Sequence, residues 1–152
     1  MSVEVRGLEK LRQIVRHAPD NIREGLDQTI AEVAEAIKGT IAILIHSRTG
    51  HLASSFYVFH VGPVQYDVRT DVPYGLFVDR GTAPHMIYPR NPGGVLRFEV
   101  GGDVVFTRYV HHPGTWPQNF MEAALEYHKQ DLLDKIRDGL TRWIHWSDVR
   151  GQ

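Results

Sequence analysis

NIREGLDQTIAEVAEAIKGTIAIL, residues 21–44, decides the fold class. Ile22, Leu26, Ile30, Val33, Ile37, Ile41 and Leu44 recur there at spacings of 4, 4, 3, 4, 4 and 3. Such a stripe is one face of an α-helix, about 35 Å long at 1.5 Å per residue. Gly39-Thr40 is its weak point, because the β-branched run that follows also suits a strand. The stripe keeps its phase across the glycine, so the helix is predicted to reach Leu44. Asn21 is the predicted N-cap, with Glu24 at the capping-box position. Upstream, Leu8, Leu11, Ile14 and Val15 form a shorter helical stripe that Ala18-Pro19 interrupts.

Beyond Arg48-Thr49-Gly50 the pattern changes. Ser55 to Val61 reads as a strand, and Gly62-Pro63 as its turn. Val64, Tyr66, Val68 and Thr70 alternate with polar residues, as in a half-buried strand. Phe56, Tyr57, Val58 and Phe59 are apolar on both faces, so that strand is either sandwiched or touches a partner. Residues 73–80 suit a short helical turn ending at Gly81. Gly81 to Gly94, with three prolines and three glycines, reads as a loop. Val95–Val100 and Val104–Val110 flank Gly101-Gly102-Asp103, a hairpin signal. His111 to Pro117 is a second loop. Asn119 with Glu122 repeats the capping box, and a helix is predicted to run to about Asp138 and stop at Gly139. The expected fold is α+β. A long N-terminal helix and a C-terminal helix pack on a mostly antiparallel sheet of about four strands with long Gly/Pro-rich loops. Residues 1–139 are expected as a single domain and 140–152 as a tail rich in tryptophan.

The 152 residues include no cysteine, which excludes disulfides and thiolate metal sites. Lys plus Arg is 17 against 18 for Asp plus Glu, and the balance holds along the chain. No basic stripe exists for tight binding to phosphates. Met1 to Lys10 has no apolar signal-peptide core. The run Ile41 to Ile45 is far short of the ~20 residues of a membrane span.

Chemistry-bearing groups are scattered. Nine histidines invite a metal reading, and His85 with His111-His112 is the best trio, since both loops could meet in space. Adjacent histidines on an extended chain point to opposite sides, so at most one of that pair ligates easily. No helical His/carboxylate spacing, Gly-x-Ser-x-Gly elbow or phosphate loop is present. Glu32, Glu35, Asp131, Asp134 and Asp138 read as solvated helix faces. His46 and His51 flank a helix end. Trp116, Trp143 and Trp146 either seal the core or form a contact surface. No catalytic, cofactor or metal residue is assigned. A metal hydrolase or nuclease using His85, His111 and His112 is the competing class, and a prophage-encoded toxin or binding module a third.

Three stretches resemble a known pattern. Arg48-Thr49-Gly50-His51-Leu52-Ala53-Ser54-Ser55 is similar to a Thr-Gly-x-Leu-x-x-Ser element after a long helix. Pro73-Tyr74-Gly75-Leu76-Phe77-Val78-Asp79-Arg80-Gly81-Thr82, continuing to His85 and Pro89, is similar to Tyr-Ala-x-x-Val-Glu-x-Gly-Thr…Pro. Val110-His111-His112-Pro113-Gly114-Thr115-Trp116-Pro117-Gln118-Asn119-Phe120-Met121 is similar to Val-x-His-Pro-Gly-Thr-x-x-x-x-Phe-Met/Leu. In this order they resemble the tail-component, or neck, family of lambdoid siphophages of the HK type, related to the minor tail protein Z group. The resemblance spans about residues 20–130. Asp79 stands where Glu is usual, and Gly75 where Ala is usual.

The resemblance implies a virion structural protein of the head–tail interface, made in the host cytoplasm, with no catalysis and no cofactor. It implies a homo-oligomeric ring of six or twelve copies, joined to other neck, head-completion or tail-tube proteins, with DNA passing nearby unbound and no membrane. The assembly residues it points to are Tyr74, Phe77, Val78, Gly81, Thr82, His85, His112, Pro113, Gly114, Thr115 and Trp116.

Overall fold

The computed structural model describes residues 18–46 and 50–150, with side chains up to Thr141. The stripe over 8–17, Arg48 and Thr49, and the side chains of Trp143, Ile144 and Trp146 lie outside the described residues. The α+β class is observed. The chain divides into two compact units, the first running to Gly75 and resuming at Asn119, the second comprising Leu76–Gln118.

In the first unit, α1 spans Asp20–Leu44, unbroken across Gly39-Thr40 as the stripe predicts. All seven stripe residues are buried or half-buried. The start differs from expectation. Pro19, not Asn21, is the cap, and its carbonyl accepts from the Ile22 and Arg23 amides at 3.0 and 3.1 Å. The proline leaves the helix fixed at its own carbonyl, and Arg23 fastens the entry by donating to the Ala18 carbonyl.

The C-terminal helix, α4 at Phe120–Arg150, continues through Gly139 instead of stopping there. A Cβ on Gly139 would make only an ordinary contact with Leu26 Cδ2 at 3.5 Å, and its φ is not left-handed, so the helix passes through it without strain. Phe120, Met121, Ala124 and Ile136 are its buried face. Ile136 joins Ala18, Ile22 and Leu26 in one cluster, with Val64, Leu132 and Leu140 packed on it. At the other end of α1, Thr40 Oγ1 lies 2.8 Å from His128 Nε2. The two helices are therefore antiparallel. Asp131 and Asp134 pair with Lys135 and Arg137 on the outer face, the solvated role the sequence suggests.

Between these helices come α2 (His51–Ser54), β1 (Tyr57–Gly62) and β2 (Gln65–Arg69). Leu52 on α2 is buried, and Phe56 meets the Phe120 ring edge-on at 5.9 Å. The β1 strand is not sandwiched: Tyr57, Phe59 and Val61 are exposed. Arg69 covers part of Phe59 with its guanidinium 3.8 Å above the ring.

Asp27 of α1 holds this ribbon. Its carboxylate accepts the Val64 amide and the Tyr66 hydroxyl, each at 2.7 Å. Val64 has φ of 59°, a left-handed conformation costly for a β-branched residue. Desolvation pushes the Asp27 carboxyl up, but Tyr66, Val64 and the nearby His60 outweigh it and hold it below its ordinary value.

The second unit holds α3 (Gly75–Arg80, whose first residue closes the first unit), β3 (His85–Ile87), β4 (Leu96–Val100), β5 (Asp103–Thr107) and β6 (Val110–His112). Among the described residues six strands form three separate antiparallel pairs, β1–β2, β3–β6 and β4–β5, rather than one sheet of about four. The short β3 falls in a segment expected as a loop, and β6 starts at Val110, the end of an expected strand, and runs into the expected loop at His111-His112. Asn119, expected as a cap, has φ of 50° as it enters α4.

Two outcomes follow from this unit packing. Asp27→Ala is expected to cost about 2–3 kcal/mol near neutral pH, because two hydrogen bonds to a charged group are lost. The folded carboxyl is depressed, so its contribution is present above the unfolded pKa of about 3.9 and is lost as pH falls through the lower folded value. Urea titrations of both proteins should converge toward pH 2. Gly39 has open space where a Cβ would go. Gly39→Ala is expected to raise stability by about 0.5–1 kcal/mol in the same titration.

Candidate functional site

Gly81-Thr82 and Gly114-Thr115 face each other across the second unit. The Thr82 amide donates to the Thr115 carbonyl and the Thr115 amide to the Thr82 carbonyl, both at 3.1 Å. Their hydroxyls lie 3.1 Å apart. Each glycine serves the opposite strand. A Cβ on Gly81 would meet the Thr115 carbonyl oxygen at 2.4 Å, and one on Gly114 the Thr82 oxygen at 2.3 Å. Their φ values of 71° and 89° are also left-handed. The pair is a reciprocal clasp built from two Gly-Thr dipeptides 33 residues apart. Gln118 closes it further, its amide reaching the Val78 carbonyl at 3.3 Å.

The clasp continues into the β3–β6 ladder, in which His85 faces His112, Met86 faces His111, and Ile87 faces Val110. The two loops therefore meet, and His111 turns to the face opposite His85 and His112. His85 and His112 stack with ring centroids 5.0 Å apart. The Gly114 amide donates to His112 Nδ1 at 3.1 Å, which places the neutral ring's proton on Nε2. His85 Nδ1 lies 2.9 Å from the Ala83 carbonyl, which only a protonated Nδ1 can satisfy, so its Nε2 keeps a lone pair. One Nε2 is thus a donor and the other an acceptor, a poor start for a shared metal. Among the described residues no group of three or more His, Asp or Glu side chains is placed to hold an ion.

Phe77, Gly81, Thr82, Ala83 and His85 line an open hollow of about 500 Å³. Phe77 and Leu76 are exposed on its helix, and Trp116, next to the clasp, is 93% exposed. Tyr88 and Tyr109, beyond the ladder's other end, are exposed with ring centroids 6.5 Å apart. Asp79, by contrast, is 1% exposed, with Arg80 Nε 3.2 Å from its carboxylate.

No family model, curated protein or solved structure matches the chain. The site is therefore defined by its own geometry. Of the residues the motifs point to, Phe77, Val78, Gly81, Thr82, His85, His112, Pro113, Gly114, Thr115 and Trp116 all belong to the second unit. Tyr74 belongs to the first, its hydroxyl 3.0 Å from His51 Nδ1. At Gly75, also in the first, a Cβ would sit 3.2 Å from Leu52 Cδ1, a tight contact that the leucine would have to yield to. Sequence inspection misses Met86, Ile87, Tyr88 and Tyr109 as surface residues, because three-residue strands are too short to show alternation. The repeated Gly-Thr was the available signal for the clasp.

Gly114→Ala and Gly81→Ala are each expected to destabilise by more than about 2 kcal/mol, from strain plus a backbone clash. Gly101→Ala, with positive φ but open space, should cost about 1 kcal/mol. Thermal unfolding of the three variants checks this. In the native protein the Thr82 and Thr115 amides should exchange slowly with deuterium, although Gly/Pro content alone suggests mobile loops.

Proposed function

We propose that this chain is a virion structural protein of a long-tailed bacteriophage, a neck or tail-completion component that forms a ring at the head–tail junction. The observation that carries the assembly part is the second unit's surface: a clasp of backbone hydrogen bonds holds Trp116 and Phe77 outward beside an apolar hollow. Aromatic side chains so placed are typical anchors of protein interfaces. The phage part rests on the order of the three motif stretches.

A ring needs a heterologous contact, with two different patches meeting head to tail. The exposed aromatics of the second unit supply one patch, and the exposed face of β1, with Tyr57, Phe59 and Val61, a second. Near-neutral charge along the chain suits a channel wall that DNA passes without sticking. No helix among the described residues is long and apolar enough to cross a membrane. The partners in this reading are further copies of the chain and neighbouring neck, head-completion or tail-tube proteins.

Mass spectrometry of purified particles of the parent phage should find the chain in stoichiometric amounts, and its absence would sink the reading. Trp116→Ala should leave folding stability within about 0.5 kcal/mol, since the indole is exposed. The same change should weaken assembly by about tenfold or more, measured by native mass spectrometry.

A further inference from the structure

The β4–β5 hairpin is an exposed apolar surface to which neither the clasp nor the hollow contributes. Gly101 and Gly102, with φ of 61° and 95°, make its two-residue turn. Val100 pairs with Asp103, Glu99 with Val104, Phe98 with Val105, Arg97 with Phe106 and Leu96 with Thr107. Among the described residues the two strands pair only with each other. Phe98, Val100, Val104, Val105 and Phe106 are exposed, on both faces of the ribbon. A lone two-stranded ribbon is marginal in water, so this one gains from another strand.

The outer edge of β4 specifies which strand. Residues flanking a two-residue turn exchange hydrogen bonds, so Val100, Phe98 and Leu96 aim their N–H and C=O at β5. Arg97 and Glu99 aim theirs outward, along the unpaired edge. These two carry opposite charges and lie on one face, two residues apart. Pair this edge antiparallel with the same edge of a second copy, centred on Phe98. Arg97 then falls opposite the second copy's Glu99 and Glu99 opposite its Arg97, each an outward-facing hydrogen-bonded pair. Shifting the register by two residues in either direction removes both charge pairs. On the other face, Phe98 meets its own counterpart at the close, non-hydrogen-bonded spacing of about 4.5 Å between Cα atoms. A row Val105, Phe98, Phe98, Val105 then crosses four strands. The β5 edge offers nothing comparable, since its centred pairing sets Val104 against Phe106 with no charge match.

We infer that β4 is a self-complementary docking edge: two copies of this chain join through it into a four-stranded β5–β4–β4–β5 sheet with two-fold symmetry. Charges at a sheet edge normally discourage pairing. Here their opposite signs attract in one register and so select it. The contact stands apart from the virion reading and needs neither ring nor tail.

Sedimentation equilibrium of the full chain tests it. Wild type should dimerise, and Arg97→Glu or Glu99→Arg should each weaken the dimer by about tenfold, since like charges then face each other twice. The double variant R97E/E99R should return to within about threefold of wild type. The chain has no cysteine. Phe98→Cys should therefore form a disulfide dimer on mild oxidation, and Phe106→Cys should not. A monomeric wild type, a double variant no better than the singles, or equal cross-linking at 98 and 106 would each overturn the inference.

Discussion

A two-stranded ribbon cannot cover its own faces, and the described residues form three. The rest of the structure is arranged around that constraint. Each ribbon needs something to lean on, and two of them find different answers within the chain. For β1–β2 the support is α1, whose Asp27 takes the Val64 amide and Tyr66 hydroxyl. That bond pair crosses 37 and 39 residues of sequence and holds a β-branched residue at positive φ. The carboxylate does not only add hydrogen bonds; it permits a turn the backbone otherwise resists.

For β3–β6 the support is the Gly-Thr clasp. Three ladder pairs are too few to stand alone, and the Thr82–Thr115 bridge extends them on one side. Close approach of two backbones demands glycine on both, which is why Gly81 and Gly114 are irreplaceable while Gly101 has room. The stacked His85 and His112 belong to the same ladder, and their Nδ1 atoms face a carbonyl and an amide of neighbouring turns. Hydrogen bonding of that kind orients rings for structure. A shared metal would need both Nε2 lone pairs free, and the Gly114 amide forces the His112 proton onto that nitrogen.

The long helix was legible because one face of seven residues must be buried whatever else happens, and Gly39 does not break that phase. The hairpin at Gly101-Gly102 was legible because its turn needs positive φ twice. What stayed hidden depends on contacts far apart in sequence. Gly139 looks like a stop signal, but the helix runs on, with Ile136 and Leu140 packed on the α1 cluster to either side of it. Asn21 looks like a cap, but Pro19 already presents its carbonyl two residues earlier, where the Ile22 and Arg23 amides reach it. The β3 strand and most of β6 sit in segments whose prolines and glycines argue for loops, and only their meeting makes them strands. The opposite-sides rule says only that His111 and His112 part company, and the register decides that His112 is the one beside His85.

The clasp also changes what the motifs mean. Gly81, Thr82, Gly114 and Thr115 are taken up by the clasp, and any chain that closes this unit in the same way needs glycine at 81 and 114, where a Cβ would meet the opposite backbone. Shared motifs of this kind carry local structure before they carry function. A partner reads the side chains that the clasp leaves free, and those are Trp116 and Phe77, with Tyr88 and Tyr109 beyond the ladder's other end. Trp116 sits one residue past a threonine whose amide and carbonyl are both bonded, so its backbone is fixed although its indole is in water. An anchor fixed in this way loses little conformational freedom when it docks, which is the condition under which one exposed aromatic contributes most to assembly.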